Sequence, residues 1–253
     1  MEVAAALTER VALVTGGGTG IGAAIATAYA AAGAAVAVVG RRRAPLDDVA
    51  ATITRAGGRV LVCPGDVTEL AAMTEAAAAT VEAFGHLDLV VANAGAAPPF
   101  GDVLDADEAS WRAIIDLNLT GVWITAKATV PKVIASGGGT FLTVGSGAAR
   151  ANAGGLGSYA AAKAGASALT RVLAAELRAH RVAVNEIVPG PVYTDAISVF
   201  GSGTYEEIAA RLRTATGEWL KQPEAVAQLA LYLATLPPDG TTGQVFSLMG
   251  RLT

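Results

Sequence analysis

A tyrosine and a lysine one helical turn apart are the residues of this sequence best suited to acid–base chemistry. Tyr159 and Lys163 stand at the head of an alanine-rich, helix-favouring run that extends through Leu177. Residues four apart lie on the same face of a helix. A phenol has a pKa of about 10, and an ammonium beside it favours the phenolate and lowers that pKa. The spacing indicates a general acid or base, although a packing tyrosine and a solvated lysine produce the same pattern.

Short apolar segments alternate with helix-favouring segments along the chain. The apolar segments occupy residues 11–14, 36–39, 60–62, 87–92, 140–144, 182–188 and 244–248. The helix-favouring segments occupy residues 23–32, 45–56, 68–84, 107–135, 159–179 and 223–235. Apolar strands that alternate with helices are typical of a parallel sheet covered on both faces. The sequence therefore predicts one doubly wound α/β domain of the Rossmann type over residues 1–253, with a seven-stranded, mostly parallel sheet and helices on both faces.

Chemically distinctive residues directly follow six of the predicted strands. In chain order they are the glycine run from Gly16 to Gly22, then Arg41, Asp66, Asn93, Ser146 and the pair Pro189-Gly190. Ligands of doubly wound sheets bind beyond the carboxyl ends of the strands. We therefore expect these residues to surround one ligand site.

Composition excludes several classes of function. The net charge is −4, and the only basic cluster, Arg41 to Arg43, is too short to neutralise a run of phosphates, so no nucleic-acid partner is expected. The single cysteine, Cys63, excludes an intramolecular disulfide and fits a reducing compartment, which predicts a cytoplasmic protein. The two histidines, His86 and His180, have no metal-ligand spacing, so no metal site is expected.

A membrane location is not predicted either. Residues 1–10 lack the basic start and the apolar centre of a signal peptide. Residues 23–40 form an uncharged run almost long enough to cross a bilayer, but Gly33 divides it into a helix-favouring half and a strand-like half. The apolar run thus belongs to a helix and a parallel strand.

The first glycine turn is suited to a dinucleotide. Gly16, Gly20 and Gly22 are spaced more widely than in the common G-x-G-x-x-G fingerprint. Glycines allow a tight turn and a close approach of the backbone to a pyrophosphate at the N-terminus of the following helix. We therefore assign cofactor contacts to this loop, with a ligand-free strand-to-helix turn as the alternative; the assigned residues are Gly16, Gly18, Thr19, Gly20, Ile21 and Gly22.

The end of the second strand favours a phosphorylated cofactor. An Asp or Glu usually binds the ribose hydroxyls of NAD there, whereas this chain has Gly40, Arg41 and Arg42. A guanidinium can hold a 2′-phosphate through paired hydrogen bonds. The sequence predicts a preference for NADP(H), with Arg41 as the leading contact, Arg42 as the second and NAD(H) as the alternative cofactor. A solvated surface run of arginines is the other interpretation.

Two further strand ends provide candidate contacts to the nucleoside. Asp66 could accept a hydrogen bond from an adenine amino group beside the Val67 backbone, or could cap the following helix. Asn93 and Gly95 could line the ribose, or Asn93 could brace neighbouring turns. The sequence leaves both alternatives open.

Two polar residues complete the candidate reacting group. Asn118 lies inside a long helical segment, where an asparagine is disfavoured unless its carboxamide has a role, such as holding a water that links Lys163 to solvent. Ser146 precedes Tyr159 by thirteen residues in a glycine-rich loop that can fold back. Its hydroxyl could hold a carbonyl oxygen for protonation.

The ordered motifs resemble those of the short-chain dehydrogenase/reductase family, in its single-domain branch, from Arg10 to about Gly250. The matching motifs are Thr15-Gly-x-x-x-Gly20-Ile21-Gly22, Asp66, Asn93-Ala94-Gly95, Asn118, Ser146, Tyr159-x-x-x-Lys163, and Pro189-Gly190 followed by Thr194. The resemblance implies that Tyr159 is the acid or base, that Ser146 orients the substrate carbonyl and that Asn118 maintains a proton relay. It implies that Lys163 holds the nicotinamide ribose and lowers the pKa of Tyr159, and that Val192 and Thr194 contact the nicotinamide carboxamide.

Three positions depart from the family pattern. Ala92 stands where a second asparagine is frequent, Gly145 replaces a frequent serine before Ser146, and the segment 247–251 lacks the usual aspartate and paired glycines. The last departure concerns subunit contacts, because the resemblance implies a homo-oligomer, a tetramer or a dimer joined through long helices. Small residues on these helices would permit close contact between subunits, or could equally face this chain's own sheet. They are Ala126, Ala128, Ala164, Ala166 and Ala168.

The predicted reaction is reversible hydride transfer between NADP(H) and a small-molecule carbonyl or secondary alcohol such as a ketone, keto-ester or quinone-like compound. The alternatives are an NAD-dependent alcohol dehydrogenase and a non-catalytic NADP-binding module. Residues 193–220 are the expected substrate lid, and Val199, Phe200 and Trp219 are its apolar candidates. With Pro98, Pro99 and Phe100 they favour an apolar or ring-bearing substrate.

Overall fold

A computed structural model of the chain describes residues 5–150, 154–194 and 203–250. Seven strands form one sheet: β1 (Val11–Thr15), β2 (Ala35–Gly40), β3 (Arg59–Pro64), β4 (Leu89–Ala92), β5 (Gly139–Val144), β6 (Val182–Val188) and β7 (Val245–Ser247). Their order is β3-β2-β1-β4-β5-β6-β7, and every neighbouring pair is parallel. The predicted seven-stranded sheet is confirmed, and it is parallel throughout rather than mostly so.

Eight α-helices among the described residues pack around this sheet. They are α1 (Gly20–Ala31), α2 (Arg43–Arg55), α3 (Leu70–Phe84), α4 (Glu108–Ile115), α5 (Gly121–Ala135), α6 (Gly157–Leu177), α7 (Tyr205–Thr216) and α8 (Pro223–Thr235). One apolar core joins α1, α2 and α8 to one face of the sheet, and a second joins α3, α5 and α6 to the other. Helices on both faces bury the apolar side chains that project from both sides of each strand.

The winding direction of the sheet reverses between β1 and β4. Chain connections run from β1 outward to β3, and then return to β4 on the other side of β1. The loops after these strands therefore diverge to opposite sides and leave a crevice at the carboxyl edge. The glycine turn after β1 and the loop after β4 border this crevice.

The predicted helix over residues 107–135 is interrupted. Between α4 and α5 the backbone forms a π-helical turn over Asp116–Thr120. The Asn118 side chain donates from Nδ2 to the carbonyl of Ile114, four residues earlier, and to that of Ala96. A side chain that bonds a helical carbonyl competes with the regular backbone ladder, and π-helical turns frequently occur at functional sites.

Other boundaries shift by a few residues. Helix α3 begins at Leu70 rather than at residue 68, because Asp66 Oδ1 accepts hydrogen bonds from both the backbone nitrogen and the hydroxyl of Thr68 and so holds a turn there. Among the described residues, no helix has both the length and the apolar character needed to span a bilayer.

Candidate active site

One cavity of about 860 Å³ runs along the carboxyl edge of the sheet. It contains all but two of the candidate site residues, which come from loops after six strands, from the first turn of α1 and from α6: Gly16, Gly18, Thr19, Gly20, Ile21, Arg41, Arg42, Asp66, Val67, Asn93, Gly95, Ser146, Tyr159, Lys163, Pro189, Gly190, Val192 and Thr194. The two candidates outside its lining are Gly22 and Asn118. The volume lies within the range of small-molecule and cofactor sites.

The glycine loop has the conformation expected for close backbone approach. Gly16 and Gly20 adopt φ values of 63° and 53°, a region that other residues rarely occupy. Thr19 is the extended N-cap of α1, so the first N–H groups of this helix open toward the cavity. Gly22 instead packs inside the loop, because a Cβ at this position would overlap the carbonyl oxygen of Gly16.

Asn93 braces the glycine loop. Its Nδ2 donates to the carbonyl of Thr15 at 2.9 Å, and its backbone nitrogen donates to Thr15 Oγ1 at 3.0 Å. The bracing role is therefore present in the structure, while Asn93 also lines the cavity. The sequence analysis named Thr15 within the glycine motif but gave it no role of its own.

At one end of the cavity, Arg41 faces Asp66. Its Nη1 lies 3.8 Å from Asp66 Oδ2, and its side chain is 70% exposed. Arg42 also lines the cavity, whereas Arg43 pairs with Asp47 on its own helix at 3.3 Å and does not. The three arginines are thus not equivalent, because only the first two are placed to meet a ligand.

Tyr159 and Ser146 meet at the opposite end. Burial raises the pKa of the Tyr159 phenol, and a hydrogen bond with the Ser146 side chain acts in the other direction. Ser146 Oγ also accepts from the backbone nitrogen of Ala148 at 3.2 Å, which fixes the hydroxyl at the start of the loop after β5. The pair presents two hydroxyls to the same volume of the cavity.

Lys163 lies beneath this pair and is 4% exposed. Its Nζ donates to the carbonyl of Val144 at 2.9 Å and lies 5.7 Å from the centroid of the Tyr159 ring. Burial lowers the pKa of Lys163 to about 8, and the negative charge of Glu186 opposes this shift. At Tyr159, a hydrogen bond with the Ser146 side chain lowers the pKa against the larger effect of burial. The lowering of the Tyr159 pKa by Lys163 stays a prediction.

Asn118 is fully buried beside Lys163. A Cβ on Gly95 would lie 2.7 Å from Asn118 Oδ1 and 3.4 Å from Lys163 Nζ, so both atoms face the same glycine. The two amide hydrogens of Asn118 are used by backbone carbonyls, but its Oδ1 has no hydrogen-bond partner. A buried acceptor without a partner is costly, which marks this point as a place for a further donor.

Val192 and Thr194, in the segment after β6, line the cavity. Val192 forms a bridge with Lys221 and is 6% exposed. A Cβ on Gly20 would lie 2.9 Å from the methyl carbon of Thr194, so Thr194 sits against the glycine turn. Thr194 thus lines the cavity next to the glycine loop, and Val192 lines it two residues earlier in the chain.

The expected lid falls partly outside the described residues, and Val199 and Phe200 are among those not described. Within the described part, Leu212 and Thr216 of α7 and Glu218 line the cavity. Trp219 is 69% exposed and is not part of the cavity lining. Phe100 lines the cavity, while Pro98 and Pro99 do not.

Sequence reasoning missed two residues near the end of the cavity that contains Ser146, Tyr159 and Lys163, here called the reacting end. Glu186 lies inside β6 and is 1% exposed, and a carboxylate inside a strand that is apolar except for Asn185 was the available signal. Met249 lines the cavity, and its sulfur lies against Gly147. Nothing local in the sequence relates position 249 to position 147.

The donor set fits a nicotinamide dinucleotide better than a metal. Backbone N–H groups and glycines occupy one stretch of the cavity, two arginines one end and two hydroxyls the other. Within residues 5–150, 154–194 and 203–250, no three His, Cys, Asp or Glu side chains are grouped to hold a metal ion.

The family model for short chain dehydrogenase matches residues 10–202. A cis-4-hydroxycyclohexanecarboxylate dehydrogenase of Sinomonas cyclohexanicum is 38% identical over 251 residues, 98% of each chain. A 7α-hydroxysteroid dehydrogenase of Escherichia coli is 32% identical over 245 residues, 96% of this chain and 94% of that protein. The crystal structure of a carveol dehydrogenase from Mycobacterium avium in complex with NAD superposes with a TM-score of 0.91 at 26% identity, covering 96% of this chain and 97% of that one.

These matches extend over the glycine loop, the strand ends and the Tyr159–Lys163 helix turn described above. The structural match agrees with the seven-stranded parallel sheet flanked by helices. The chain therefore belongs to the short-chain dehydrogenase family of oxidoreductases, which act on alcohol and ketone groups with an NAD(P) cofactor.

Proposed function

We propose that this protein reversibly reduces a ring-bearing ketone to a secondary alcohol with NADP(H), with Tyr159 as the general acid and base. The observation that carries the proposal is the pair of hydroxyl side chains of Tyr159 and Ser146, which line one end of a cavity that has Arg41 at its other end. The Ser146 side chain is close enough to lower the pKa of Tyr159. A ketone oxygen held between these hydroxyls would gain charge as its carbon accepts hydride.

Ser146 and Tyr159 act on the substrate oxygen. Ser146 Oγ already accepts a hydrogen bond from Ala148, so its hydrogen can be directed to the carbonyl oxygen. Tyr159 donates its proton to that oxygen as charge develops there, and takes it back in the oxidative direction. When bound, the nicotinamide supplies or accepts the hydride.

Lys163 and Asn118 support the return of that proton. The Lys163 ammonium is held beneath Tyr159 by the Val144 carbonyl, and Asn118 Oδ1 faces the same glycine as the ammonium. We infer that a water accepting from Lys163 and donating to Asn118 Oδ1 forms the first step of a proton path. This role explains why an asparagine acceptor is buried there without a protein partner.

The NADP(H) preference rests on Arg41 and Arg42. Both line the cavity at the end of β2, where no carboxylate of the strand end repels a phosphate. The second candidate is an NAD-dependent alcohol dehydrogenase. The NAD bound to the carveol dehydrogenase of M. avium favours it, as does Asp66, whose charge beside Arg41 partly offsets the guanidinium.

The ring-bearing substrate class rests on the apolar wall around the reacting end and on the relatives. The wall includes Ala96, Ala97, Phe100, Leu156, Leu212 and Met249. The relatives named above are dehydrogenases of a hydroxycyclohexanecarboxylate, a hydroxysteroid and carveol. A secondary hydroxyl on a ring is the chemistry that we extend to this chain.

Residues 193–220 are proposed as the lid of this site within one domain spanning 1–253. Helix α7 lies in this segment, and Leu212 and Thr216 on it line the cavity. Self-association is proposed through the outer faces of α5 and α6. Trp123 and Val172 are exposed there, whereas Ala126, Ala128 and Ala166 are buried in this chain's own core.

The proposal is tested by NADPH oxidation with a panel of cyclohexanone derivatives, using wild-type protein and Tyr159→Phe. The variant removes the proton donor without changing the shape of the ring, so we expect turnover to fall by about 10³-fold or more while NADPH affinity changes little. Tyr232→Phe is the matched control, since Tyr232 is exposed on α8.

Tight NADPH binding without turnover on any ketone or alcohol would replace the enzyme by a non-catalytic binding module. Turnover with NADH alone would select the NAD-dependent candidate. Equal activity of Tyr159→Phe and wild type would remove Tyr159 from the mechanism.

A further inference from the structure

A buried carboxylate lies directly behind the reacting end. Glu186 belongs to β6, the interior of which is otherwise almost wholly apolar, and only 1% of the residue is exposed. A carboxylate in such surroundings is costly unless hydrogen bonds and opposite charges compensate it. The hydrogen-bond and charge partners of Glu186 therefore indicate the role of this residue.

The partners of Glu186 Oε2 come from two other elements. Ser167 Oγ, on α6, donates to Oε2 at 2.6 Å. Arg150 Nη2, on the loop that begins with Ser146, lies 3.6 Å from the same oxygen. Arg171, one turn farther along α6, donates from Nη1 to Ser167 Oγ at 3.0 Å. The carboxylate thus ties the Ser146 loop to α6.

The other oxygen, Oε1, has no hydrogen-bond partner and lies against Gly145. A Cβ on Gly145 would overlap this oxygen. The backbone conformation of Gly145 is not of the positive-φ kind that demands glycine, so the carboxylate is the reason that no side chain fits. The serine that is frequent before Ser146 in the family is therefore incompatible with this placement of Glu186.

Glu186 also acts on Lys163. Lys163 donates to the carbonyl of Val144, the residue before Gly145, so the ammonium and the carboxylate flank the same short segment. The negative charge of Glu186 raises the pKa of Lys163, against the larger lowering by burial to about 8. An ammonium with this pKa is mostly protonated at neutral pH.

We propose that Glu186 is a positioning residue of the reaction, matched to Gly145, which fixes the Ser146 segment through Arg150 and keeps Lys163 in its ammonium form. This role rests on the proposed function of Tyr159, Ser146 and Lys163. The charged and titratable groups near Glu186 and Lys163 are Tyr159 and Arg171 from α6 and Arg150 from the loop after β5. Asn118, from the π-helical turn, also lies near Lys163 but is uncharged.

The first test is the pH profile of kcat/KM in Glu186→Gln. The amide keeps the shape of the side chain and an oxygen that can accept from Ser167, but it removes the charge. Loss of the carboxylate favours neutral Lys163, so the alkaline limb of the profile is expected to move to lower pH by about one unit. Glu176→Gln, an exposed neighbour on α6, is the control and should leave the limb in place.

The second test needs no turnover. Gly145→Ala is expected to lower the melting temperature because its methyl group meets Oε1, while Gly145→Ala combined with Glu186→Ala should lose less than the two single changes together. Gly101→Ala is the control, since a Cβ on Gly101 meets open space.

The two proposals fail separately. Wild-type protein without turnover overturns the proposed function, and the melting series then still decides whether Gly145 and Glu186 are matched. With an active wild type, a Glu186→Gln profile identical to that of Glu176→Gln overturns the action on Lys163. Strictly additive melting temperatures overturn the match with Gly145.

Discussion

The two ends of the cavity differ in how far their polar groups are exposed to solvent. At the end with Arg41, its side chain is 70% exposed and that of its partner Asp66 is 30% exposed. At the end with Ser146 and Tyr159, the neighbouring Lys163 is 4% exposed, and Asn118, which lies beside Lys163 outside the cavity lining, is 0% exposed. Water and salt screen exposed charges, whereas buried polar groups act in a medium of low dielectric constant. We therefore expect graded effects at the first end and large ones at the second.

After Tyr159→Phe, the largest effect is expected from Ser146→Ala. Removing one hydrogen-bond donor to a developing oxyanion costs about 10²- to 10³-fold in kcat, and the buried geometry of this end should give a loss in that range. NADPH affinity should change by less than about twofold, because Ser146 is proposed to act on the substrate oxygen. Stopped-flow turnover and fluorescence titration measure the two quantities.

Ser110→Ala, on the exposed surface of α4, is the control for that experiment. A loss confined to KM would mean that Ser146 binds the ground state only. The contrast between the two ends would then be weaker than burial suggests.

The next effect concerns the pH dependence of stability without cofactor. Burial lowers the pKa of Lys163 from 10.5 to about 8, so above that pH the folded state has released a proton that the unfolded state keeps until near 10.5. The unfolded state then binds more protons, and the free energy of unfolding rises with pH across this window. The rise should be on the order of 2 kcal/mol between about pH 7.5 and about pH 9.5.

Urea unfolding of wild type and Lys163→Met at several pH values measures this rise, which should be absent from the variant. Lys127→Met, at an exposed position of α5, should retain it. The same slope in all three proteins would assign the proton to another group.

A smaller effect is expected from Arg41→Ala. An exposed guanidinium on a phosphate is a screened contact, so the Kd for NADPH should rise by about tenfold while the Kd for NADH stays nearly unchanged. Arg43→Ala is the matched control, because Arg43 pairs with Asp47 and lies outside the cavity lining. Equal losses for both cofactors would place Arg41 away from the 2′-phosphate.

The smallest effect is expected from salt. Raising the ionic strength from about 0.05 M to about 0.5 M shortens the screening length and should weaken NADPH binding a few-fold, with a smaller change for NADH. Isothermal titration at both salt concentrations measures the difference. A salt effect of the same size on the turnover of saturated enzyme would contradict the contrast, because buried groups are screened less.

Local pattern was sufficient for much of the fold and of the candidate site. Helix and strand periods depend on neighbours within a few residues, so the alternation of elements and the one-turn spacing of Tyr159 and Lys163 could be read directly. The convergence of strand-end residues on one cavity followed because parallel strands end at the same edge. Helix boundaries shifted where side chains such as Asp66 and Asn118 bonded the backbone.

The sequence by itself determined which residue types lie at each strand end and hence the family and the chemistry. Only the tertiary structure decided that Glu186 fills the space beside Gly145, that Arg41 faces Asp66 while Arg43 does not, and that a hydrogen bond with Ser146 counters the effect of burial on the pKa of Tyr159. The physical reason is distance along the chain. Spacing within one element is fixed by the backbone period, whereas the contacts between elements depend on how their side chains pack once the sheet has formed.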